Sequence, residues 1–398
     1  MPHAREDRTD HPTGELRIGL ALNRARAYGR GFCEGFASYT EVRHNWRLEM
    51  IPPGADLSRY DGIVAHVMDE AEAARFADSG VPIIADFYRS PSRKLAQVLP
   101  DHEAIGRLAA SVVRERGFVN CAFCGYDGIL FSDRRRDGFV KALAQDGVDC
   151  ILYEGGEKAL AKFDENVILC EIITPDTPDA RELSLWLASL PRPCGLFCCH
   201  DLRAFNVLTV ARSIGLRVPE DLAILGVDND VLVCNFTMPR LSSIDPNAAG
   251  VGRAAAKLLD DIIEGRAARD TVIKVPPLGV VTHASTETFT YSSPIVNEAL
   301  LFIRRSLSQN PSSSDVFAHI GKSHTVVESA FRAELGTTVH AELQRLRMDE
   351  ARRLLAMTNL PLADVARRSG FASARYFTLA FRKEFGTSPS AFREKVQS

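Results

Sequence analysis

No stretch of the 398-residue sequence runs apolar for the roughly 20 residues that a membrane-crossing helix needs. The opening MPHAREDRTDHPTGE is polar and has no apolar core of the signal-peptide kind, so residues 1–15 are expected to form a disordered tail. The common catalytic signatures are missing too: there is no GxxxxGK[ST], GxGxxG, GxSxG or HExxH. That leaves neither a nucleotide-dependent nor a hydrolytic enzyme in view, and no catalytic residue, metal ligand or cofactor is assigned. The nine cysteines are odd in number and sit mostly inside apolar runs, which suits reduced, buried thiols in a cytoplasm. Cys121 and Cys124 have redox or zinc spacing, but no second pair completes a metal set, and the stretch reads as a strand. Cys198-Cys199-His200 reads as the end of another strand, with His200 turned to a cleft.

What is present is ordinary globular material, 45% hydrophobic and 25% charged, enough for two or three domains. The charge is uneven. From Tyr291 onward there are 15 Lys and Arg against 10 Asp and Glu, a net +5; the preceding part has 33 against 41, a net −8. A basic C-terminal module on an acidic body fits a nucleic-acid reader attached to a sensor.

From Leu16 to about Thr286, short apolar runs alternate with helical patterns. LRIGLALN, YDGIVAHV, VPIIADFY, VNCAFCGY, GLFCCH and DLAILGVDN are strand candidates, and YGRGFCEGFASYT is an amphipathic helix. Continuously apolar strands separated by helices predict parallel sheets covered on both faces. The span predicts two lobes, the second starting near residue 117. ETFTYSSPIV, residues 287–296, is polar, contains Pro294 and reads as a linker. Residues 297–398 then turn to helical pattern only, broken at Gly321, Gly336, Gly370 and Gly386.

The C-terminal part contains an echo: FRAELGTT at Phe331–Thr338 recurs as FRKEFGTS at Phe381–Ser388. Each copy follows a short helix, a glycine turn and a second helix, which predicts two tandem helix-turn-helix units. In the second unit Phe377, Phe381 and Phe385 share one helix face and should be core. Arg375, Leu379 and Arg382 form an exposed stripe, with Tyr376 and Thr378 beside it. Arginine can pair with guanine in the major groove, while Thr or Leu can touch a thymine methyl. Ser373 is the expected N-cap. In the first unit Val327, Phe331 and Leu335 are the core stripe, Ser323 is the N-cap, and His324, Thr325, Glu328 and Ser329 are expected to be exposed.

Residues 296–392 resemble the DNA-binding module of AraC/XylS-type regulators, on RLRMDEARRLLAMTNLPLADVARRSGF, YFTLAFRKEFGTSPSAFR and the two-unit spacing. The resemblance implies one recognition helix per unit, set in successive major grooves about 10 bp apart, and DNA contacts from Ser323, His324, Thr325, Glu328, Arg375, Tyr376, Thr378, Leu379 and Arg382. The first unit departs from the family pattern at Phe317, Lys322 and Ser329, so its base readout is expected to be weak or unusual.

The body is similar to the effector domain of LacI/GalR-type repressors, on HDLRAFNVLTVARSIGLRVPEDLAILGVDND, PRLSSIDPNAAGVGRAAAKLLDDIIEG and SDRRRDGF. Together the two resemblances imply a two-lobed α/β, periplasmic-binding-protein-like sensor with Rossmann-like parallel sheets, followed by an all-α C-terminal domain with two helix-turn-helix units. Ligands of such sheets bind at the carboxyl ends of strands. Those ends offer Asn23, Asp86, Asp201 and Asp228. By resemblance, Arg135 and Asp228 match the family's sugar contacts. Tyr28, Phe87 and Tyr88 can stack on a sugar ring. Each strand-end Asp has a second reading as a cap of the helix or turn that follows.

The expected function is therefore sugar-responsive transcription control, most simply activation. A pentose-like effector would bind in the cleft between lobes and reposition the C-terminal modules. The implied partners are operator DNA, a second copy of the chain, and RNA polymerase, in the cytoplasm and on the nucleoid when bound. The rival reading is a DNA-repair-type alkyl-acceptor enzyme fused to the same kind of tail, with Cys194 as the nearest acceptor.

Overall fold

The computed structural model describes residues 14–397 except 23–25, 42, 44, 53, 68, 88–93 and 155–177. Asn23, Tyr88 and the side chain of Phe87 fall outside the described residues. The chain runs β1 (Leu16–Ala21), α1 (Ala27–Thr40), β2 (Trp46–Met50), β3 (Gly62–Val67), α2 (Glu70–Asp78), β4 (Ile83–Phe87), β5 (Gln97–Pro100), α3 (His102–Arg114), β6 (Asn120–Cys124) and α4 (Leu130–Gln145). It continues as β7 (Cys150–Leu152), α5 (Pro178–Ser189), β8 (Cys194–Cys198), α6 (Asp201–Ser213), β9 (Leu222–Val227), α7 (Val231–Phe236), β10 (Ser242–Asp245), α8 (Ala248–Ile263), β11 (Val272–Val275) and β12 (Gly279–Val281). The helices α9 (Pro294–Ser306), α10 (Ser313–Ile320), α11 (His324–Leu335), α12 (Val339–Met357), α13 (Leu362–Arg368), α14 (Ala374–Phe385) and α15 (Pro389–Gln397) complete it.

The chain divides into two compact units. One holds residues 1–100, 128–130 and 247–275; the other holds 101–127, 131–246 and 276–398. The first unit carries a parallel sheet in the order β2-β1-β3-β4, and β5 pairs with β11 beside it. Its strands read as unbroken apolar runs because both faces are buried: every residue of β3 is. Ile18, Val64 and Ile84 face α1 and α8, while Ile63, Ala65 and Phe76 fill the opposite side.

The second unit is built on a six-stranded sheet, β12-β10-β9-β8-β6-β7, parallel throughout except for β12. Cys121, Cys124, Cys194 and Cys198 lie in β6 and β8 with no exposed surface. Burial pushes the Cys121 thiol up to about 11 and that of Cys194 to about 12. Thiols held this far above neutral pH are poor nucleophiles, which removes the chemical basis for an alkyl acceptor at Cys194.

Among the described residues the C-terminal part is built of seven helices, with the expected breaks at Gly321, Gly336, Gly370 and Gly386. They form two cores. Val327, Phe331, Val339 and Leu343 belong to one. Met348, Leu355, Val365, Phe371, Phe377 and Phe381 belong to the other, and α12 contributes to both. The polar stretch 287–296 is more ordered than a linker reading suggests. Phe289 is buried in the first helical core, and Ser293 caps α9 by accepting from the Val296 N–H at 3.4 Å.

Candidate sensor and DNA-binding sites

The strand-end residues of the second unit converge. Ser132 Oγ accepts from the Tyr126 N–H at 2.8 Å and fixes the turn after β6. One helical turn on, Arg135 is 3% exposed. Its guanidinium donates to the Cys199 carbonyl, lies 3.7 Å from Asp228 Oδ1 and stacks 5.2 Å from the centroid of Phe131. Its Nε has no hydrogen-bond partner among the described residues, so a buried donor is left for something else to satisfy.

Asp228 follows β9 at φ 110° and Asn229 at φ 50°, in the left-handed region where Asp and Asn are enriched among non-glycine residues. Beneath them Asp201, at the start of α6, is 1% exposed. Its Oδ1 accepts from Ser243 Oγ at 2.7 Å, and its Oδ2 accepts from the Asp230 N–H at 2.8 Å and from the Cys234 thiol. Burial, and then the charge of Asp228, raise its pKa well above the usual carboxylate range. Asp201 thus braces the loop that presents Asp228. His200 caps α6, its Nδ1 accepting from the Arg203 N–H at 2.9 Å, and lies between the rings of Tyr126 and Phe131 at 5.7 and 5.9 Å. Sequence reasoning passed over Phe131 and Ser243, and for Phe131 no signal existed beyond its place one turn before Arg135.

In the first unit Asp86 sits near the carboxyl end of β4, register-paired with His66 of β3. Tyr28 Oη donates to Asp86 Oδ2 at 3.4 Å, and His66 Nε2 lies 3.8 Å from the same oxygen. The Tyr28 and His66 rings stack at 6.1 Å. Burial depresses His66 to about 4, so it is neutral at pH 7 and its contact with Asp86 is not an ion pair. The strand-end rule that picked Asp86 picks His66 equally well, but His66 was passed over.

In the C-terminal module each predicted recognition helix is capped as expected. Ser323 accepts from the Val326 N–H at 3.4 Å and Ser373 from the Tyr376 N–H at 3.2 Å. Both helices end on left-handed glycines, Gly336 and Gly386. Arg375, Tyr376, Leu379 and Arg382 are exposed together on α14; Thr378 is half-buried and back-bonds to the Ala374 carbonyl at 2.9 Å. In α11, His324, Thr325 and Ser329 are exposed, and His324 meets Phe317 edge-on at 4.5 Å. Glu328 corrects the sequence expectation. It adjoins Val327 on the core side of the helix and is buried, with Oε2 lacking a hydrogen bond among the described residues.

Comparison with known proteins agrees with this geometry. A periplasmic binding protein-like domain model matches residues 110–286, and a helix-turn-helix domain model matches 317–395. The chain is 27% identical over 395 residues to the xylose operon regulatory protein of Haemophilus influenzae, covering 95% of this chain and 98% of that one. The Escherichia coli K12 protein of the same name is also 27% identical, over 96% of this chain and 98% of its own. The chain is a transcriptional regulator that carries a periplasmic-binding-protein-like domain and an AraC-type helix-turn-helix domain. Its sensor is periplasmic-binding-protein-like and its relatives are regulators rather than enzymes, so the alkyl-acceptor alternative falls. A solved structure described as the xylose-binding transcription activator xylR aligns with this regulator at a TM-score of 0.59, with 27% identity, over 96% of this chain and 98% of that one. A LacI-type regulator from Alkaliphilus metalliredigens, solved with D-xylulofuranose, is 18% identical with a TM-score of 0.52 over 68% of this chain and 99% of its own, and shares the fold. Among the described residues no helix is long and apolar enough to cross a membrane.

Proposed function

We propose that this regulator senses a pentose-type sugar and activates transcription of a sugar-utilisation operon in the cytoplasm. Residues 16–286 sense, 287–296 connect, and 297–398 bind operator DNA. The observation that carries the reading is Arg135: a buried guanidinium with an unsatisfied Nε, next to a carboxylate held on a left-handed turn. Such a pair offers donors and acceptors together, as a polyol requires. The near-full-length similarity to xylose operon regulators supports the same ligand class.

Arg135 and Asp228 are the proposed contacts from one unit, with Asp201 shaping their loop from beneath. In the other unit, taken by itself, Asp86 with Tyr28 and His66, and Asn23 at the end of its own strand, are proposed as candidate effector contacts. Ligand-favoured rearrangement would then alter the presentation of α11 and α14 to DNA, within the limit set by the ligand's differential affinity for the two states. Base contacts are assigned to Arg375, Leu379 and Arg382 in the second unit, and weaker contacts to His324 and Thr325 in the first.

A homodimer, with RNA polymerase as a further partner on the nucleoid, completes the proposal. Val231, Leu232, Phe236 and Met238 stand more than half exposed around α7, an apolar patch of the kind that a second copy would cover. A thermal-shift panel of pentoses and hexoses tests the ligand reading: a sugar that binds only the native state must raise the melting temperature. Asp228→Ala should abolish that shift while leaving basal DNA binding intact. A variant that still responds at wild-type sugar concentrations would show the site to be misplaced.

A further inference from the structure

Helix α3 touches both parts of the second unit that a regulator has to couple. At its start it meets α4, the helix that carries Arg135. A Cβ on Gly106 would lie 2.2 Å from the Arg135 carbonyl oxygen and 2.6 Å from the Phe139 nitrogen; one on Gly138 would lie 2.4 Å from the Glu103 carbonyl oxygen. The two helices therefore meet backbone to backbone, with no side chain between them to absorb a shift. Along its length α3 is clamped by buried Ile105, Ala109, Ala110 and Val113, so it moves as one rod of about 20 Å.

At its other end α3 holds the connector to the helical module. Tyr291 Oη donates to the Glu115 carbonyl at 2.7 Å, and the Thr290 N–H donates to the Arg116 carbonyl at 2.8 Å. Buried Arg116 donates through Nε to the Thr286 carbonyl at 2.8 Å. Arg345 of α12 reaches 3.6 Å from Glu115 Oε2, while its other bonds go to Glu342 and Asp349 on its own helix. The position of Arg345 matters. Val339 and Leu343 on one side of it belong to the first helical core, and Met348, Ala351 and Leu355 on the other side belong to the second. A displacement delivered at Arg345 is delivered to both helix-turn-helix units.

We propose that α3 is a strut carrying displacement of α4 to α12, with Glu115, Tyr291 and Arg345 as positioning residues that touch neither ligand nor DNA. This rests on the reading that a sugar engages Arg135. Such coupling needs an element whose equilibrium both sites bias, and α3 meets α4, which carries Arg135, and through Glu115 reaches α12.

Tyr291→Phe removes one hydroxyl, Glu115→Gln removes one charge, and Gly106→Ala wedges a methyl between α3 and α4. The D-xylose dissociation constant of each variant is measured by calorimetry. Affinity for a duplex selected from a random pool with the wild-type protein is measured by fluorescence anisotropy, with and without D-xylose. In Tyr291→Phe and in Glu115→Gln, sugar affinity and sugar-free DNA affinity should stay within about twofold of wild type. The sugar-dependent change in DNA affinity should shrink by about fivefold, the scale on which one such bond is worth in a two-state balance. Gly106→Ala should shrink it further. An undiminished sugar effect in both Tyr291→Phe and Glu115→Gln overturns the strut and leaves the ligand reading standing. A wild-type protein that does not bind D-xylose removes the ligand reading, and the strut with it.

Discussion

Two arginines of the C-terminal module allow the DNA-binding reading to be separated from the fold. Arg375, on the first turn of α14, is exposed and makes no side-chain hydrogen bond or ion pair among the described residues. Arg347, on α12, is 8% exposed and donates to Asn310 Oδ1 and to the Pro311 carbonyl, each at 2.8 Å. Removing Arg375 takes nothing from the native contacts, so Arg375→Ala should change folding stability by less than about 0.5 kcal/mol. If Arg375 reads a base edge, the same change costs about 1–3 kcal/mol of specific DNA affinity, some 5- to 150-fold, and relaxes preference at one base pair. Arg347→Ala should do the reverse. It leaves a buried carbonyl without a donor and should cost about 1–3 kcal/mol of stability, with any loss of DNA affinity following the loss of folded protein. Urea denaturation gives the first quantity for each variant. Anisotropy titration against a selected duplex and single-base variants of it gives the second, at several salt concentrations. A phosphate contact would instead lower affinity uniformly and reduce the salt slope by about one. Unchanged affinity and unchanged base preference in Arg375→Ala would remove it from the recognition surface.

Phe381 has no exposed surface and packs against Phe377, Phe385 and Phe392 at ring separations of 5.6, 4.6 and 5.5 Å. Phe381→Ala should destabilise the helical module by about 3–5 kcal/mol in urea, and a loss below 1 kcal/mol would contradict the core assignment. Asp228→Asn should also change how stability depends on pH. The raised pKa of Asp201 means its stabilising share is complete below the ordinary carboxylate value and is lost as pH rises through the folded value. Removing the neighbouring charge lowers that folded value, so the variant should lose less stability than wild type as pH rises from about 4 towards neutral. Urea midpoints across that range check this, and a difference between the two proteins that does not grow with pH would refute the coupling.

Much of the architecture could be read from the residues because burial writes itself into pattern. β3, β6, β8 and β9 are covered on both faces and appear as plain apolar runs, and the terminal helices are amphipathic, with serine caps on α9, α10, α11 and α14 and glycine stops on α10, α11 and α14. The elements passed over are short, and two of them are also weakly marked by burial, whereas β5 and β10 are mostly buried but only four residues long. β7 is a three-residue edge strand, two of whose residues are exposed, and β11 alternates exposed and covered residues at the side of a sheet. The return of residues 247–275 to the first unit has no local signal, since crossing between units is a property of topology and not of any window of sequence.

The candidate sites divide along the same physical line. Which residues stand at strand ends could be inferred, because the β-to-loop transition is local, and Asp86, Asp201 and Asp228 do stand there. Whether each faces outward depends on partners far off in the chain. Asp201 is engaged by Ser243 and Cys234, more than 30 residues away, and so braces a loop. Asp228, displaced by one left-handed turn, keeps part of its surface and faces Arg135 across 93 residues of sequence. Glu328 shows the same limit on a helix. Its spacing from Val327 and Phe331 places it at the edge of the apolar stripe, where folding in or out leaves the pattern almost unchanged, and here it folds in. Periodicity identifies faces; which way a polar residue at the edge of a face turns is decided in three dimensions, and Asp201 braced by Ser243, Asp228 beside Arg135 and Glu328 folded inward differ there although they look alike in the sequence.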